Sequence, residues 1–161
     1  MLKLEIPGIP RPQGSVKPMK SASTGQDIVT YSDNVWAWRN QVTTEARKVL
    51  RATNAPPLDC ACDLYVTFFL PRPESAPRRV TEPTKAPDLD KLVRAIGDAL
   101  SNAGVWADDA RVIFTASRKA FAGGIRDPQG AHGRPRAVIE VREATTAANT
   151  SIARLFGEAT A

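Results

Sequence analysis

Pro87–Val112, PDLDKLVRAIGDALSNAGVWADDARV, is the stretch from which the rest of the chain can be ordered. Leu89, Leu92, Val93, Ile96 and Leu100 fall within one arc at about 100° per residue, which predicts an amphipathic helix with a single buried face. Asp88 stands at the N-cap and Gly104 at the C′ position, so the helix has a chemical start and a chemical stop. Asp90, Arg94 and Asp98 are spaced by four and form a separate stripe, in which Asp98 reads as a surface partner of Arg94. Two carboxylate pairs, Asp88/Asp90 and Asp108/Asp109, bracket this helix in a chain of net charge +5 and pI about 9.6. Acidic clusters in a basic chain need a reason, and the commonest chemical one is a divalent metal facing a polyanion.

Working outward, Leu2–Ile6 alternates apolar and polar and predicts a short strand. Residues 7–27 are rich in Pro, Gly, Ser and cations and read as a loop. Asp27–Tyr31 reads as a short strand or an extended lead-in, and a helix is predicted over 33–52, capped by Ser32 or Asp33 and ended by TNAPP. Trp36 and Trp38 are two apart on it, so at most one faces the core; Trp106 reads as a core anchor of the turn after the second helix in preference to a platform for a stacked base. Asp59–Leu70 ends in β-branched and aromatic residues and predicts a central strand. The proline-rich stretch from Pro71 to Pro87 excludes a helix or an inner strand, and so long a loop is characteristic of a functional or a disordered segment. Ala110–Phe121 reads as a strand, with Ala137–Arg142 as its hairpin partner. The expected fold is therefore α+β, a small mixed β-sheet packed by two main helices, in one domain over 1–143. Residues 144–161 form a tail, frayed or with a short helix over SIARLFGEA.

Of the 161 residues, 42% are hydrophobic, enough for a core. No apolar run approaches a membrane span, and the opening MLKLEIPGIP lacks the features of a signal peptide, so the expected location is cytoplasmic. Cys60 and Cys62 would share a strand face; a disulfide at that spacing is strained, and two cysteines do not make a zinc site. The single histidine, His132, lies in a Gly/Arg-rich loop, which disfavours a histidine-based hydrolase and points to carboxylate chemistry.

Phosphodiester hydrolysis with Mg²⁺ uses hard oxygen ligands at about 2.1 Å, commonly two or three carboxylates plus water and phosphate. Asp88/Asp90 and Asp108/Asp109 supply such oxygens. The two pairs are separated by a helix of roughly 24 Å, so they meet only if the chain folds back along it. The alternative is structural, with Asp88 as a cap, Asp90 favouring the helix dipole and Asp108–Asp109 as a turn.

The run PDLDKLVRAIGDAL…GVWADDARV resembles the signature of the RusA family of crossover-junction endodeoxyribonucleases. That pattern is a D-x-D-N-x-x-K helix start, a D-A/S-L, then G-x-(F/W)-x-D-D-x-x-V. Asp88, Asp90, Asp98, Leu100, Gly104, Trp106, Asp108, Asp109 and Val112 stand at matching positions. The resemblance implies a homodimer, of phage or prophage origin, that binds four-way (Holliday) DNA junctions. It would resolve them in recombination and repair by paired symmetric nicks, using Mg²⁺, with Mn²⁺ able to substitute. It implies metal-binding catalytic roles for Asp88, Asp90 and Asp109, with Asp108 as the paired neighbour. Arg94 stands where the family has a catalytic lysine, and Lys91 where Asn is usual. Arg keeps the charge but not a compact ammonium, so charge stabilisation is the role expected of it.

Arg11, Lys17, Lys20, Arg78, Arg79, Lys85 and Lys91 are the candidate phosphate contacts, from charge and position. Two other functions fit parts of the pattern. A non-catalytic branched-DNA-binding module would follow if the Lys91 and Arg94 departures abolish cleavage. A hydrolase of a small phosphorylated substrate would leave the cationic loops without a purpose.

Overall fold

The structure, a computed structural model, describes residues 1–14, 17–20, 27–30 and 33–144, the side chains of 17–20, 27–30 and 33 excepted. The elements in order are β1 (Leu2–Pro7), β2 (Lys17–Lys20), β3 (Asp27–Thr30), α1 (Asp33–Thr53), β4 (Cys62–Leu70), α2 (Leu89–Ala103), β5 (Val112–Phe121) and β6 (Arg136–Glu143). Four strands form one sheet in the order β1-β6-β4-β5, and β2 and β3 make a separate ribbon. This is the expected α+β class. The tail, and Ser32 as a cap, lie outside the described residues.

The sheet is half-covered. Alternation on β1 buries Leu2, Leu4 and Ile6 and exposes Lys3 and Glu5. Leu64, Val66 and Phe68 of β4 stand opposite Val141, Ile139 and Ala137 of β6. Trp38, Val42 and Ala46 of α1 and Leu92, Ala95, Ile96, Ala99 and Leu100 of α2 join them in one core. The helices contact each other, and Thr43 Oγ1 donates to Ala99 O at 3.0 Å. Trp38 is buried and Trp36 half exposed, as their spacing requires. Trp106 is a core residue whose Nε1 donates to Ser101 Oγ at 2.8 Å.

Strand pairing departs from the sequence reading. β5 and β6 do not form a hairpin. β5 pairs parallel with β4, while β6 lies antiparallel between β1 and β4. The reason is the connection: β4 reaches β5 through α2, and a helical crossover delivers a parallel neighbour. Ala137, Ile139 and Val141 of β6 are fully buried, which suits an inner position, whereas β5 keeps a half-exposed edge. The 7–27 loop also contains a strand, β2, despite Pro18. A two-stranded ribbon tolerates a proline that an inner strand would not. Cys60 precedes β4, so the two cysteines do not share a strand; both are free. Burial, with Cys60 beside it, pushes the Cys62 thiol up to about 11.

The β5–β6 connection is built around an ion pair. Arg136 Nη2 and Nη1 donate to Asp127 Oδ1 and Oδ2 at 2.6 and 3.1 Å, and its guanidinium lies 3.9 Å from the Phe69 ring centroid. Gly123 N and Gln129 N also donate to the Asp127 carboxylate. Gly133 passes so close that a Cβ there would sit 1.9 Å from Asp127 Oδ2, which leaves room for glycine alone. His132 is exposed on a single 3₁₀ turn of this connection, Gly130–His132.

Candidate active site

Asp88 occupies the N-cap of α2 with extended backbone (φ −69°, ψ 138°), but its side chain caps nothing. Its Oδ2 instead meets Lys91 Nζ at 2.9 Å, and the carboxylate is 56% exposed. The Lys91 hydrogen bond and charge, helped by Lys119, hold the Asp88 carboxyl below its ordinary pKa; Asp88 raises Lys91 in return. Asp90 is exposed in the first turn. Arg94 is exposed one turn on, on the same helix face as Asp90.

Two elements brace this end. Lys119, near the end of β5, donates through Nζ to Pro87 O at 2.8 Å and Lys85 O at 3.0 Å. Gln13 N donates to Lys91 O at 2.9 Å, and Gln13 Nε2 to Asp98 Oδ2 at 2.6 Å. Arg39 of α1 lies 3.5 Å from the same Asp98 oxygen. Asp98 is thus tied to Gln13 and Arg39, not to Arg94, and joins α2 to α1 and to the N-terminal loop.

Asp108 and Asp109 lie beyond the other end. α2 stops at Gly104 in the left-handed region (φ 78°), and Leu58 N donates to Val105 O at 2.8 Å, pinning the segment that follows. Asp108 starts a 3₁₀ turn, Asp109–Arg111, by accepting from Ala110 N at 2.8 Å. Asp109 is exposed, and Arg111 pairs with Asp59.

The chain does fold back along α2, but it does not bring the two pairs together. Fifteen residues of helix span about 22 Å. The seven steps from Val112 to Lys119 in β5 span about 23 Å. Lys119 touches Pro87, so Asp108 and Asp109, at the opposite end of β5, remain about one helix length from Asp88 and Asp90. Among the described residues, no group of three or more His, Cys, Asp or Glu is placed to hold a metal. One chain therefore presents two separate pairs of carboxylates.

Of the candidate phosphate contacts, Arg11, Arg78, Arg79 and Lys85 are exposed on loops and Lys91 is bound to Asp88. The side chains of Lys17 and Lys20 lie outside the described residues. Arg72, exposed as well, is bonded to its own loop, donating to Val80 O (2.6 Å), Pro77 O (2.7 Å) and Ala76 O (3.4 Å). Sequence reasoning missed Lys119 and Gln13. A parallel β4–β5 pair would have placed Lys119 level with the helix start, because the lengths of α2 and β5 match.

A family model described as Endodeoxyribonuclease RusA matches residues 9–142, which takes in both carboxylate pairs, Lys119 and Gln13. No curated protein matches the chain. No helix among the described residues is long and apolar enough to cross a membrane.

Proposed function

The chain belongs to the RusA endodeoxyribonuclease family, and on that footing we propose a Mg²⁺-dependent nuclease that resolves four-way DNA junctions by paired symmetric nicks, acting as a homodimer. The separation of the carboxylate pairs by the length of α2 carries this reading. A two-fold dimer that sets Asp88 and Asp90 of one protomer against the partner subunit's Asp108 and Asp109 completes one site, and symmetry completes the second. Two sites related by that axis suit two cuts on strands of like polarity.

The donor chemistry fits a hard divalent cation. Asp88 already holds a cation, the Lys91 ammonium, and Asp90 and Asp109 are exposed carboxylates. Asp88, Asp90, Asp109 and Asp108 would hold Mg²⁺, with Mn²⁺ able to substitute; when bound, it activates water for attack on phosphorus and offsets charge on the phosphate. Lys91, with help from Lys119, lowers the Asp88 pKa and so favours its ionised form. Arg94, one turn beyond Asp90, faces the same phosphate and offsets charge developing on its oxygens. Arg11, Lys17, Lys20, Arg78, Arg79 and Lys85 contact flanking phosphates. Products carry 5′-phosphate and 3′-hydroxyl ends.

The test compares a labelled four-way junction with a matched linear duplex, with and without Mg²⁺. Paired nicks that require Mg²⁺ and vanish in Asp90→Asn are expected. Retention of the junction without cleavage in Mg²⁺ or Mn²⁺ would instead identify a binding module.

A further inference from the structure

A cavity of about 750 Å³ opens beside the Asp88 end of α2. Leu70 and Phe121, the last residues of β4 and β5, line it together with Pro12, Pro77, Val80 and Pro87. Its surface is mainly apolar, with cations from Arg11 and Lys85 and hydroxyls from Ser75 and Thr84. Glu82, the acidic residue of the lining, is engaged by Arg126. Such size and composition suit a flat heterocycle held by apolar walls and oriented by a few polar groups.

The cavity is built, not incidental to a slack loop. Arg72 ties three carbonyls of the 76–80 segment together and lies 5.3 Å from the Phe121 ring centroid. Lys119 fixes the other wall through Lys85 O and Pro87 O. Prolines in the walls hold their φ angles before any ligand arrives. Pro87 is both a wall residue and the neighbour of Asp88, so adjacent Cα atoms about 3.8 Å apart link the cavity to the Asp88/Asp90 pair.

We propose, resting on the nuclease reading above, that this cavity receives one unpaired nucleobase from the strand being cut and so sets the sequence preferred at the cut. A scissile phosphate facing the cation that Asp88 would hold brings the base of an adjoining nucleotide to the cavity, and Arg11 and Lys85 complement that strand's backbone charge. An apolar interior suits the base and not the phosphate. A branch point supplies nucleotides whose stacking is already weakened, so extrusion there is easier than from a linear duplex.

The test uses four-way junctions carrying 2-aminopurine at each crossover nucleotide in turn, mixed with full-length Asp90→Asn. A several-fold rise in emission at one position, lost when Ala76→Trp fills the cavity, is expected. Junction retained in a gel with no emission change at any position overturns the base pocket alone. A chain that does not retain the junction sinks the nuclease reading and the pocket with it. In the cutting chain, a preference of about tenfold or more among the four bases at that position should flatten to under about threefold in Ala76→Trp. A preference kept at full size would overturn the proposal.

Discussion

Asp127 and Asp88 are both aspartates bonded to a basic side chain, and they serve opposite ends. The Asp127 side chain is fully buried, with Arg136 4% exposed, and its carboxylate takes hydrogen bonds from Arg136 and two backbone N–H groups. Asp88 is 56% exposed and holds one flexible lysine. Water competes at Asp88 and not at Asp127, so the buried pair orders the β5–β6 connection while the exposed one leaves its oxygens exchangeable. Ligand chemistry belongs where a charge is available, and fold specification where it is not.

The largest expected effect separates these roles outright. Asp90→Asn should lower junction cleavage by at least about 10³-fold while moving stability by less than about 0.5 kcal/mol, read by gel assay and urea melts. Mixing inactive Asp90→Asn and Asp109→Asn chains sharpens the same point. If each site spans two protomers, half the dimers regain one site, and nicking returns to about a quarter of the unsubstituted rate. A site confined to one chain would give no recovery.

Asp127→Asn should act the other way, costing about 3 kcal/mol, because it leaves the buried Arg136 guanidinium with only the half-exposed Glu5 carboxylate beside it. Arg136 and the two backbone donors hold the Asp127 carboxyl well below the usual range. Its contribution to stability is therefore full above the unfolded value of about 4 and is lost as pH falls below that toward the folded value. Thermal melts from pH 5 downward should show a loss of stability that is smaller in Asp127→Asn. A smaller effect is expected where a lysine stands in for a cation: Lys91→Asn should lower the Mg²⁺ concentration for half-maximal cleavage several-fold, which a metal titration measures. The smallest is electrostatic. Arg78→Ala and Arg79→Ala should each reduce the salt slope of junction affinity by about one.

The sequence reveals what depends on local periodicity. α2 with its C′ glycine, the α1 helix and the buried face of β1 all follow from spacing within one turn or one pleat. The aspartates of both pairs are legible because they belong to one contiguous run. Partner choice between strands is non-local, and AVIEVR alternates equally well beside β5 or between β1 and β4. The same limit hides Lys119 and Gln13, whose positions follow from which strand and loop return to the helix. Asp127 and Arg136 are nine apart in a glycine-rich stretch with no repeating pattern, so nothing local announces their burial.

On the composite reading, the stiffness of α2 has a consequence for dosage. A rod with half a reaction centre at each end cannot bend round to complete itself, so a lone protomer is inert. Cutting then depends on how many copies meet, falling faster than concentration on dilution, and a cell holding a few stray molecules is protected by the length of one helix.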